Sequence, residues 1–166
     1  KANIKTTYSD DYPYPNIHTT TLSSDKTPIL SIRYSNIPLN YYNIPKIIMA
    51  HKMYGLPYLD KVGEYGISNR DNYIIINKTL LELQLIQYFL STNLILFLFE
   101  TTRYRMRYLE KYVFDYIPDF TCMEEIKEIK EMKEITKINI YKLFDITDPE
   151  REYIEKYYKK QCKFFI

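Results

Sequence analysis

Three glycines, two cysteines and two histidines are all that this 166-residue sequence holds of the residues on which much familiar chemistry depends. The glycines, Gly55, Gly63 and Gly66, fit neither a GxGxxG fingerprint nor a P-loop. His18 and His51 lie in different segments without metal-ligand spacing. Cys122 and Cys162 alone make neither a zinc site nor a disulfide framework, and read as reduced thiols. There is no GxSxG nucleophile elbow. A charge excess is also missing: 23 basic residues face 21 acidic ones, for a net charge of +2. Nothing global therefore points to nucleic acid, and any basic site has to be local. The longest apolar run, LILFLFE, is far too short to span a bilayer, and no secretory leader opens the chain. No membrane partner and an intracellular, cytoplasmic setting are expected. The first residue, Lys1, suggests a fragment or a trimmed product. By themselves these residues show no catalytic, metal or cofactor site.

What is present suits a folded domain. Hydrophobic residues make up 46% and charged residues 27%, an ordinary balance for a chain that buries one substantial core. Tyrosine, isoleucine, lysine and asparagine are abundant, while alanine occurs only at Ala2 and Ala50. AT-rich codon usage produces that bias, so counts of tyrosine or lysine carry little weight.

Residues 1–28 are polar and turn-rich and read as irregular, with at most a short strand. ILSIRYS (residues 29–35) alternates as a strand does, KIIMAHK begins a second, and DNYIIIN has the β-branched composition of a third. Thr79 is placed to cap a helix whose apolar spacing starts at Leu80. STN interrupts it, and helical spacing resumes over residues 94–112. The stretch 123–135, MEEIKEIKEMKEI, reads as a solvated connecting helix. Thr147 and Asp148 can cap a last helix with Pro149 in its first turn. Strands before helices predict an α+β fold. A small mixed or antiparallel sheet over about residues 29–77 is followed by a helical region and a C-terminal helix. The expected division is an α+β domain over 1–121, a charged connector over 122–136 and a helical segment over 137–166.

All three glycines fall between Lys46 and Ile76, amid turn residues and the polar side chains His51, Lys52, Tyr54, Lys61 and Arg70. That composition suits a loop built to reach something. A surface hairpin with solvated charges is the competing reading.

In order along the chain, IPKIIMAHK, GEYGISNRDNYIII, LQLIQYFLSTNLILFLF, YVFDYIPD and LFDITDPEREYIE resemble the target-recognition region of TaqI-like N6-adenine DNA methyltransferases and the fused restriction–modification enzymes related to them. The likeness covers about residues 29–155. Tyrosine-rich relatives of this pattern occur in large DNA viruses, which suits the AT-rich bias. The departure is as informative: these 166 residues contain no consecutive prolines, hence no tetrapeptide of the NPPY type, and no glycine-containing cofactor motif. The resemblance implies a DNA-recognition module without a methyl-transfer centre. S-adenosylmethionine would be held by a separate catalytic domain, in cis or in trans. The competing reading is a small structural or interaction protein, viral in setting, that does not read DNA.

Under that resemblance double-stranded DNA is the partner. Lys52, Lys61 and Arg70 are expected at phosphates or guanine, His51 at a base edge or phosphate, and Asn69 or Asn72 at adenine, with Tyr54 on the same loop. Arg103, Arg107 and Lys111, spaced i, i+4, i+8, would form one cationic helical face beside a stripe of tyrosines. Alternatively, the tyrosines pack and the arginines pair with Glu100 and Glu110.

Overall fold

A computed structural model describes residues 1–22, 28–51, 57–103, 108–129, 131–135 and 138–161. The N-terminal stretch is more regular than expected. It holds β1 (Ile4–Lys5) and the nine-residue β2 (Tyr14–Leu22). The β-branched run Thr19, Thr20 and Thr21 favours extended backbone. The prolines and turn residues before it masked that signal. β3 (Pro28–Ser35) lies antiparallel to β2, and the register slips at His18, between the Ile17–Ile32 and Thr19–Ser31 pairs. β1 flanks β3 on the outer side.

β4 (Lys46–Ala50) is the centre of a second sheet, with β5 (Tyr58–Asp60) antiparallel on one side. β6 (Gly66–Ile67) leaves this sheet and joins β2 in parallel, giving the first sheet the order β1-β3-β2-β6. β7 (Asn72–Ile75) returns to complete the order β5-β4-β7. Every residue of β4 is buried. Alternation along a strand explains how: Ile47 and Met49 enter the core shared with the helices, and Ile48 projects to the opposite face.

Thr79 caps α1 (Leu80–Leu90) in a reciprocal box, accepting from the Glu82 N–H while the Glu82 carboxylate accepts from the Thr79 N–H. After a bend of 64°, α2 (Asn93–Thr102) continues. Leu83, Phe89, Ile95, Leu96 and Phe99 turn inward from the two helices, with Phe89 stacked on Phe120 at 4.4 Å. Each such burial stabilises by about 1.5–3 kcal/mol. No single helix among the described residues is long and apolar enough to cross a membrane.

The regular helix expected over residues 94–112 ends at Thr102, and residues 104–107 lie outside the described residues. The backbone is already extended at Arg103, and Lys111–Tyr116 is a 3-10 turn. The charged stretch 123–135 is likewise not one solvated helix. It contains α3 (Glu124–Lys127) and α4 (Met132–Ile135), and Ile126, 4% exposed, is part of the core. α5 (Ile140–Leu143) and α6 (Asp148–Gln161) follow, and Ile140 and Ile154 join the same core. Glu150 reaches back to the Thr147 N–H at the start of α6, with Pro149 in the first turn as expected. The fold is α+β: two small sheets, then helices, ending in a C-terminal helix.

Candidate nucleic-acid interface

Two of the three glycines serve the fold. Gly63 adopts φ +75°, and a Cβ there would lie 2.3 Å from the Ile44 backbone nitrogen. Only a residue without a side chain permits both the left-handed conformation and that approach. A Cβ on Gly66 would meet the Asn16 Oδ1 at 2.2 Å. Asn16 is fully buried, with its amide donating to Tyr14 O and Ser35 Oγ. Gly55 lies outside the described residues. Gly63 and Gly66 are therefore packed against the turn before β4 and against β2, while Glu64 between them is exposed.

Beside these glycines sits a buried ion pair that composition alone did not single out. Lys46, 0% exposed, donates to Asp60 Oδ2 at 2.6 Å and to the carbonyls of Tyr41 and Ile44 at 3.0 Å each. Asp60, 2% exposed, also accepts from the N–H groups of Glu64 and Tyr65. Burial pulls the Lys46 ammonium below its ordinary range, and the hydrogen bond and charge of Asp60 oppose that shift. All three Lys46 donors are used, so this pair fixes the strands and turn rather than binding anything. A lysine opening an otherwise apolar strand was the available sequence signal.

The residues proposed for DNA contact separate into distinct places. Lys52, Tyr54 and Arg107 lie outside the described residues. Asn69 is half-buried in the turn beside Arg70, where its Oδ1 accepts from the Asp71 N–H and its carbonyl from the Asn72 amide. Arg103 does not stand on a cationic helical face. It follows the last residue of α2, its side chain is 3% exposed, and it pairs with Glu100 at 2.9 Å. Lys61 is exposed, but it follows Asp60, which is paired with Lys46 at the start of β4. Arg70 belongs to the turn before Asn72, which is paired with Ala50 at the end of β4. At about 3.3 Å per residue those ends are roughly 13 Å apart.

The remaining three gather where β4 ends. The His51 N–H donates to Asp71 O, and His51 O accepts from the Leu109 N–H, at 2.9 and 2.8 Å. These bonds bring the Arg70–Asp71 turn and the segment leading to Lys111 to either side of His51. Arg70 and Lys111 are exposed and His51 half-buried. The His51 ring lies 5.3 Å from the Tyr108 ring and edge-on to Tyr73 at 5.7 Å. Tyr73 in turn donates to Leu109 O at 2.8 Å. Its phenol is pushed up by burial and then by the Glu110 carboxylate. The corner therefore combines two exposed cations with an aromatic cluster, and Asp71 and Glu110 are half-buried. Tyr73 and Tyr108 were missed as its supports, because nothing in their spacing links them to His51.

A second surface feature is apolar. A groove of about 640 Å³ runs between α2, the 116–118 segment and the start of α6, lined by residues including Leu94, Leu98, Tyr116, Phe144 and Tyr153.

Among the described residues no group of three or more His, Cys, Asp or Glu side chains is arranged to hold a metal ion. No protein-family model, no curated protein and no solved structure matches this chain.

Proposed function

We propose that the chain is a DNA-binding module of the target-recognition type, serving an N6-adenine DNA methyltransferase whose catalytic and S-adenosylmethionine-binding parts lie elsewhere. The observation that carries this reading is the corner at the end of β4. Two backbone hydrogen bonds of His51 draw the Arg70 turn and the Lys111 segment together, leaving both cations exposed. In this reading Arg70 and Lys111 neutralise phosphates, and His51 faces the bases. The ordered sequence resemblance over residues 29–155 supports the specific enzyme class, and the intracellular setting follows from it. Lys61 and Arg103 are not part of the contact surface in this reading, for the geometric reasons above, and the Asn69 Oδ1 is engaged within the Arg70 turn.

The test is binding of labelled duplexes across a salt series. Log affinity should fall linearly with log salt, at about 0.9 per phosphate neutralised. Millimolar, salt-independent binding defeats the DNA reading. The apolar groove favours the second reading, a protein-interaction module without DNA readout, and that reading would then stand alone.

A further inference from the structure

The groove between α2 and α6 stands apart from the β4 corner. Its floor is made by Leu94 and Leu98 of α2 with Phe144 and Ile154, and its rim by Tyr116 and Tyr153. Both rim tyrosines are large and exposed, at 68% and 62%. Tyr153 rests edge-on against Phe97 at 5.9 Å, so its ring is held at the opening. Exposed apolar surface of this kind marks an interaction site.

The charge around it is predominantly negative. The segments 115–119 and 144–154, which wall the groove, carry six exposed carboxylates: Asp115, Asp119, Asp145, Asp148, Glu150 and Glu152. One arginine, Arg151, accompanies them, and its guanidinium lies over the Tyr141 ring at 5.6 Å. Asp119 is offset by Lys78 at 2.7 Å, and Glu150 accepts from Thr147. The remaining carboxylates still leave the walls negative.

We propose that this groove docks a basic amphipathic helix of a partner protein. A trough between two helices accepts the apolar face of a third, read as anchors at i, i+3, i+4 and i+7. Negative walls select lysines and arginines beside those anchors and repel an acidic helix. They repel duplex DNA as well, so the groove and the β4 corner take different partners. The proposal does not depend on the DNA reading.

The chain contains no tryptophan, so a single tryptophan on a synthetic peptide reports its own burial. The probe is a leucine/lysine amphipathic peptide of about 18 residues, long enough to form a helix. Its control is the same peptide with glutamate in place of lysine. The basic peptide should show a saturable blue shift and bind at least about tenfold more tightly than the acidic one. Tyr153→Lys and, from the other wall, Tyr116→Ser should each weaken binding about tenfold, while circular dichroism shows the fold retained. Several results overturn the proposal: no saturable shift, equal binding of the two peptides, or unchanged binding by both folded variants. Self-association that Tyr153→Lys abolishes in sedimentation would also overturn it, giving the groove to a second copy of the chain.

Discussion

Replacing Lys46 by methionine keeps the length of the side chain and removes one ammonium. Three acceptors lose their donor at once: Asp60 Oδ2, Tyr41 O and Ile44 O. Asp60 keeps the N–H groups of Glu64 and Tyr65, so its carboxylate is left half-satisfied in a site 2% exposed. The turn it anchors is already strained, with Tyr41 and Asn43 at φ 66° and 61°. Breaking a buried pair by removing one partner costs about 3–5 kcal/mol. Against a total stability of about 5–15 kcal/mol that is a large share. With a urea dependence of about 2 kcal/mol per molar, the unfolding midpoint should fall by about 1.5–2.5 M. Asp60→Asn should cost less, because a neutral oxygen still accepts. The double variant should cost less than the sum of the singles. The assay is urea unfolding followed by circular dichroism. A midpoint shift for Lys46→Met below about 0.5 M, with an unchanged slope, would refute the claim that this pair holds the strands together.

Three more predictions follow from particular contacts. Gly63→Ala should destabilise by about 2–5 kcal/mol, combining a left-handed backbone penalty with overpacking against Ile44; a thermal melt within a degree of the parent contradicts this. The Lys78 hydrogen bond, aided by Thr121, holds the Asp119 carboxyl down at about 2, below its ordinary 3.8. Its stabilisation is thus present above pH 3.8 and lost as pH falls towards 2, and Asp119→Asn should flatten the urea midpoint over that window. Arg103→Ala should lower stability through the lost Glu100 pair while leaving the salt dependence of DNA binding unchanged; a drop in that slope contradicts the assignment of Arg103 to packing.

The parts of the fold written in local pattern were legible. Alternation in ILSIRYS and the β-branched runs at Ile47–Ile48 and Ile74–Ile76 give strands, and Thr79 with Glu82 gives the start of α1. β2 was missed because Pro15 and the turn residues before it outweighed three threonines. The helical placement expected of Arg103 is not observed, because i, i+4 spacing defines a face only where a helix exists. Thr101 and Thr102 bond back to the carbonyls of Phe97 and Leu98 at the end of α2, and the backbone becomes extended at Arg103. For the glycines, the sequence indicates turns but cannot say which backbone comes within 3 Å. The same holds for Lys46, whose partner is fourteen residues away. In the candidate site, His51, Arg70 and Lys111 were legible as polar residues of suitable type. Their meeting depends on the hydrogen bonds of His51 to Asp71 and Leu109, which no local pattern encodes.

The most direct measurement is the salt dependence of duplex binding for the unmutated chain, for Arg70→Ala/Lys111→Ala and for Lys61→Ala. If the exposed cations at the end of β4 contact phosphates, the double variant should lower the slope of log affinity against log salt by about 1.8. Lys61→Ala, at the other end of the strand, should leave it unchanged. An undiminished slope in the double variant, or an equal loss in Lys61→Ala, would contradict the placement of DNA at this corner.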